Sequence, residues 1–138
     1  MQDRLVVALV RELYFGAKLV DWVRSFGCKY KRVETRADLI KAMRSSNPAL
    51  VVVDLECQPG DLTEITCHSG RAKLLAFGPP SDVESLEAAR AAGFDEVVLN
   101  IQYHRELRSL LARHLPAEAP EEMDGEGKKP WQRLWPRT

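Results

Sequence analysis

Short apolar runs rich in β-branched residues alternate along this chain with stretches whose apolar side chains recur every three or four positions. The two periods predict strands and helices in turn. The runs are Leu5 to Val10, Leu50 to Leu55, Lys73 to Phe77 and Val97 to Leu99. In the first three, the stretches Leu-Val-Val-Ala-Leu-Val, Leu-Val-Val-Val-Asp-Leu and Leu-Leu-Ala-Phe show no polar alternation, as expected of strands covered by helices on both faces. A fifth strand-like segment, Cys28 to Glu34, carries Lys29, Lys31 and Arg32. Basic side chains of that kind protect an exposed sheet edge from pairing with other chains, so this segment is predicted to be an edge strand.

Between the runs, Leu13 to Phe26 sets Leu19, Val20, Val23 and Phe26 on one helical face and stops at Gly27. Thr35-Arg36-Ala37-Asp38 resembles a capping box ahead of Leu39, Ile40 and Met43, and the second helix ends at Asn47-Pro48, where proline forbids continuation. Asp61 to Ser69, short and rich in threonine and isoleucine, is the third helix. Ser81-Asp82-Val83-Glu84 is a fuller capping box that leads into Leu86, Ala89 and Ala92 before Gly93. Gln102 to His114, with Leu107, Leu110 and Leu111 on one side, makes the fifth. Strict alternation of five strands and five helices predicts an α/β fold: a flavodoxin-like (βα)5 doubly wound parallel sheet in the order 2-1-3-4-5, with the basic second strand at one edge.

Composition sets the limits of this picture. The chain has 138 residues, 45% apolar and 29% charged, which suits one domain, assigned to residues 1–115. Residues 116–138 differ: they hold four of the eight prolines, an acidic stretch from Glu118 to Glu126, and then Lys-Lys-Pro-Trp-Gln-Arg-Leu-Trp-Pro-Arg, a tail or linker. Twenty basic and twenty acidic residues cancel, so no overall field draws the chain to nucleic acid or to an anionic membrane. The apolar run near the N-terminus is too short for a membrane span. Three cysteines in no framework spacing point to a reducing compartment, and the expected location is cytoplasmic.

In a sheet of this order, ligands meet the carboxyl ends of the strands beside the switch point between the first and third. That places Val10 to Glu12, Asp54 to Asp61, Phe77 to Ser81 and Asn100 at the chemically relevant edge. Asp54 stands out, because it ends an otherwise wholly apolar strand. Pro48-Ala-Leu-Val-Val-Val-Asp54-Leu resembles the third strand of a response-regulator receiver domain, and Ala88-Ala-Arg-Ala-Ala-Gly93-Phe-Asp-Glu-Val-Val98 resembles the receiver passage from the fourth helix into the fifth strand. The resemblance covers residues 4 to 115.

In that family, phosphotransfer uses an acidic pair after the first strand to hold magnesium, an acceptor aspartate, a Ser or Thr after the fourth strand, and a lysine after the fifth. The resemblance gives Asp54 the acceptor position. It sets Val10 and Arg11 at the acidic pair, Gly78 at the hydroxyl and Asn100 at the lysine, with Ile101 where a proline usually follows. Arg11 brings a permanent cation to the place of the metal, and a lone aspartate competes poorly with water for magnesium. Arg11 is therefore expected to pair with Asp54. A one-residue slip at the strand end would instead bring the Glu12 carboxylate to the site. The implied function is a degenerate receiver, or pseudo-receiver: a two-component signalling module of bacterial type that uses no cofactor and acts by protein–protein contact or as a homodimer. The family's habit points to the surface of helix four, strand five and helix five. The alternatives are a conventional phosphoacceptor using Mg2+ at Asp54, and a small-ligand-binding protein on the same scaffold.

Other chemistry has less support. Gly78-Pro79-Pro80 lacks the successive glycines of a phosphate loop. Cys28, Cys57 and Cys67 have no zinc spacing, although Cys57 lies in the loop beside Asp54 and is the thiol worth testing. His68, His104 and His114 are scattered with no nucleophile motif, so no enzyme activity is expected. Arg105, Arg108 and Arg113 are interrupted by Glu106 and read as a solvated face. Trp131, Leu134 and Trp135, flanked by basic residues, could form one amphipathic turn that binds a partner.

Overall fold

The computed structural model describes residues 4–11 and 17–115. The strands are β1 (Leu5–Leu9), β2 (Lys29–Val33), β3 (Leu50–Asp54), β4 (Lys73–Gly78) and β5 (Glu96–Leu99). The helices are α1 (Ala17–Ser25), α2 (Arg36–Ser46), α3 (Leu62–Thr66), α4 (Val83–Ala92) and α5 (Asn100–His114). All neighbouring strands pair in parallel in the order β2-β1-β3-β4-β5, so the basic strand β2 is at an edge, as its composition predicts.

Strand alternation divides the core into two layers. Val6, Ala8, Val10, Leu50, Val52, Leu75 and Phe77 face one side, where α1 and α5 supply Leu19, Val23, Leu107, Leu110 and Leu111. Val7, Leu9, Val51, Val53, Leu74 and Ala76 face the other, against Leu39 and Met43 of α2, Ile65 of α3, and Leu86 and Ala89 of α4. Both faces of the central strands are therefore dry, which is why their sequences carry no polar alternation.

Several element ends differ from the sequence expectation. The first helix is described only from Ala17, and Leu13 to Gly16 lie outside the described residues. The fourth helix is capped by Asp82 and not by Ser81: its carboxylate accepts from the Ser85 amide at 3.1 Å, because a turn closed by the Asp82 amide on Pro79 delays the helix start. The fifth helix starts at Asn100, two residues earlier than its apolar period shows. The Gln102 side-chain carbonyl reaches back to accept from the Leu99 amide at 2.8 Å and satisfies the start without a capping Ser, Thr, Asp or Asn. Asn47 and Gly93 end α2 and α4 in the left-handed region, at φ 48° and 104°. The tail, residues 116–138, lies outside the described residues.

At the opposite end of α5, Glu96 of β5 accepts from Arg113 at 2.6 Å and contacts His114 at 2.7 Å. Partial burial works against its charge, but the bonds from Arg113 and His114 outweigh it and hold the Glu96 carboxyl below the usual range. A carboxyl depressed in the folded state stabilises above its unfolded pKa, and that contribution is lost as pH falls through the folded value. Resistance to urea is accordingly expected to drop as pH goes below about 4.5, and to drop less in Glu96→Gln. Equal pH slopes for the two proteins would contradict the assignment. Leu110, fully buried, reports on the core: Leu110→Ala is expected to cost about 2–5 kcal/mol in a denaturant titration, against about 0.5 or less for exposed Ile101→Ala.

Candidate functional site

The carboxyl ends of β1, β3 and β4 and the start of α5 bring Val10, Arg11, Asp54, Gly78 and Asn100 to one edge of the sheet. Asp54 is the only buried charged side chain among the described residues, with 0% of its surface exposed. A carboxylate in that position needs partners for both oxygens. One oxygen, Oδ1, accepts from the Glu56 amide at 2.9 Å and caps the 3-10 turn Leu55–Cys57. The other, Oδ2, accepts from Arg11 Nε at 2.7 Å.

The network then runs outward. Arg11 Nη1 donates to Glu56 Oε1 at 3.2 Å, and Asn100 Nδ2 donates to Glu56 Oε2 at 3.0 Å. The Asn100 Oδ1 atom is buried with no hydrogen-bond partner. Loss of hydration opposes the charge on Arg11, but the hydrogen bond to Asp54 and then the charges of Asp54 and Glu56 raise its pKa further, so its cation is permanent. Glu56 was not singled out by the sequence. The available signal was its position two residues past Asp54, because an aspartate that caps the following turn draws residue i+2 back to the same edge.

Val10 contributes backbone: its side chain is buried, and its carbonyl accepts from Arg32 Nη1 at 3.2 Å. Gly78 is closely packed. A Cβ at that position would lie 3.2 and 3.3 Å from Leu55 side-chain atoms and 3.5 Å from Leu86. Any larger residue there requires Leu55 to shift. Cys57 is half-buried, and burial followed by the Asp54 charge pushes its thiol up to about 11. Cys28 is buried in the α1/α5 layer and Cys67 is exposed. His68, His104 and His114 contact the Glu64 carbonyl, the Tyr103 ring and Glu96 respectively, away from Asp54. Among the described residues no group of three or more His, Cys, Asp or Glu is arranged to hold a metal ion. Glu12 and the Trp131, Leu134 and Trp135 group lie outside the described residues. Among the described residues no helix is long and apolar enough to cross a membrane.

The thiol gives a direct check on this environment. Alkylation of Cys57 by iodoacetamide, followed by peptide mass spectrometry, is expected to be slow at neutral pH and to accelerate as pH approaches about 11. Rapid modification at neutral pH would show an electropositive surrounding that this geometry does not provide.

No protein-family model and no curated protein sequence matches this chain. Solved structures do resemble it. The receiver domain of a sensor histidine kinase from Pseudomonas aeruginosa, solved with a magnesium ion in its active-site cleft, aligns with a TM-score of 0.67 at 13% identity, over 82% of this chain and 98% of that one. A response regulator from Burkholderia pseudomallei with a phosphorylated aspartic acid, calcium ion and citrate aligns at 0.66 with 16% identity, over 87% of this chain and 70% of that one. An orphan response regulator of Helicobacter pylori aligns at 0.65 with 18% identity, over 80% and 92%. The architecture shared with these proteins, five parallel strands in the order 2-1-3-4-5 wrapped by helices, is the receiver-domain fold of response regulators.

Proposed function

We propose that this chain is a two-component signalling module that keeps the receiver scaffold, has given up its phosphorylation chemistry, and acts as a binding protein, not as an enzyme. The observation that carries this reading is the Arg11 guanidinium seated 2.7 Å from Asp54. In an active receiver that carboxylate would share a hard divalent cation and then attack a phosphoryl donor. Here its outer oxygen is occupied by a fixed cation supplied from β1.

The donor set does not suit magnesium, which requires near-octahedral oxygen ligands at about 2.0–2.1 Å. Among the described residues the two carboxylates at this edge, Asp54 and Glu56, both accept from Arg11, and a metal ion there would meet the guanidinium charge at contact distance. A phosphoryl group would also lack its usual partners. Gly78 offers no hydroxyl, and Asn100 offers an amide, already committed to Glu56, in place of an ammonium. A small ligand faces a similar difficulty, because the polar groups it would need are turned onto one another.

The resemblance directs a protein partner to the surface of α4, β5 and α5. Two large apolar side chains support that choice, since Val83 and Ile101 are 60% and 51% exposed at the starts of α4 and α5. A conventional phosphoacceptor is the second reading, favoured by the position of Asp54 at the end of β3 and by the phosphorylated aspartate in the Burkholderia protein.

An amide NMR titration separates the two. With millimolar magnesium followed by beryllofluoride, no saturable shift is expected at Arg11, Asp54 or Gly78, whereas such shifts would establish a working phosphorylation switch. In Arg11→Asp the cation is exchanged for a carboxylate beside Asp54 and Glu56, and magnesium-dependent shifts are expected to appear at Asp54. Their absence from a folded Arg11→Asp sample would show that Arg11 is not what closes the site to metal.

A further inference from the structure

We infer that the basic, tryptophan-containing segment Lys128 to Arg137 docks within its own chain, into the groove between the β3–α3 loop and the start of α4. The groove measures about 640 Å3, within the range of roughly 300–1,000 Å3 typical of sites that enclose a ligand. Its apolar wall is made by Leu55, Pro59, Leu62 and Pro79. Its charged lining consists of Glu56, Asp82 and Glu84, with no basic side chain. Glu56 is already bonded to Arg11 and Asp82 to the Ser85 amide, and Arg36, which donates to the Pro59 carbonyl at the groove margin, is paired with Glu64, so the open negative charge at the rim is exposed Glu84. The groove thus has one apolar wall and a polar, acidic rim.

The segment beyond α5 has the complementary character. Trp131, Leu134 and Trp135 are the apolar content, and Lys128, Lys129, Arg133 and Arg137 surround them. An indole buries a large apolar area while its basic neighbours stay at a wet rim, which is the division the groove offers.

Reach is sufficient. Residues 116–127, twelve in number, span up to about 40 Å when extended, whereas the fifteen-residue α5 is about 22 Å long. The linker can therefore run back along α5 and pass the open β5 edge to α4. It carries Glu118, Glu121, Glu122, Asp124 and Glu126, and α5 exposes Arg105, while Arg108 lies over the Trp22 ring of α1 and Arg113 is bonded to Glu96. The charge pairing on this path is that of the basic segment with the acidic rim of the groove. The groove shares Glu56 with the Asp54 network, and its other acidic residues, Asp82 and Glu84, belong to the start of α4.

The test compares amide spectra of the full chain with those of Trp131→Ala/Trp135→Ala. Docking predicts shifts at Gly60, Ser85 and Ala88, unchanged by dilution and weakened as salt screens the rim. It also predicts that Glu84→Lys, an exposed change, raises the acrylamide quenching of tryptophan fluorescence in the otherwise native chain. Superimposable spectra at those three amides would overturn the inference, as would shifts centred on another surface. Shifts that vanish on dilution would replace it with docking between copies.

Discussion

A carboxylate withdrawn wholly from water at the end of a central strand is the constraint around which this molecule is arranged. Asp54 has no exposed surface, and an isolated ion there would be several kcal/mol unfavourable. The protein meets that demand with two donors of different kinds, the Glu56 amide one turn ahead and the Arg11 guanidinium from the neighbouring strand. The first sets the course of the β3–α3 loop. The second gives the outer oxygen a charged partner and ties the end of β3 to the chain just past β1. Such a pair is poor evidence for added stability, since a matched apolar pair could do as well. Its consequence is a cation held at the sheet edge.

The other departures make sense beside that pair. With Arg11 present, a second cation from the start of α5 would stand near it and compete for the same carboxylates; Asn100 is neutral and donates to Glu56 instead. At Gly78, the last residue of β4, the space beside the backbone is taken by Leu55. Val10 supplies a carbonyl to Arg32 and an apolar side chain to the core, where an acidic residue would have been a second carboxylate in need of neutralisation. Val10, Arg11, Gly78 and Asn100 thus form one arrangement around Asp54.

Much of this was legible in the sequence because it rests on periodicity. The unbroken apolar strands announced a sheet covered on both faces, the lysines of β2 announced its edge, and the strand order followed from alternation and handedness. The Arg11–Asp54 pairing was expected from the receiver resemblance, which set Arg11 at a metal-binding position beside Asp54, and the two side chains do meet at 2.7 Å. What escaped was local hydrogen bonding. The competition between Ser81 and Asp82 for the α4 cap is decided by the turn closed on Pro79, and the early start of α5 depends on a glutamine reaching back to Leu99. Glu56 escaped for the same reason: its side chain reaches Arg11 and Asn100 only because Asp54 bends the chain into a 3-10 turn.

The central claim is that Arg11 and Asp54 are energetically coupled, and a double-mutant cycle on unfolding free energy measures this directly. Arg11→Ala, Asp54→Ala and the double variant are compared with the parent chain by denaturant titration at neutral pH. The Arg11 side chain is 43% exposed, so the coupling is moderated by solvent, and a favourable interaction of about 1–2 kcal/mol is expected. Additive effects, with coupling below about 0.5 kcal/mol, would mean that Asp54 is satisfied without Arg11 and that the site is open to other partners.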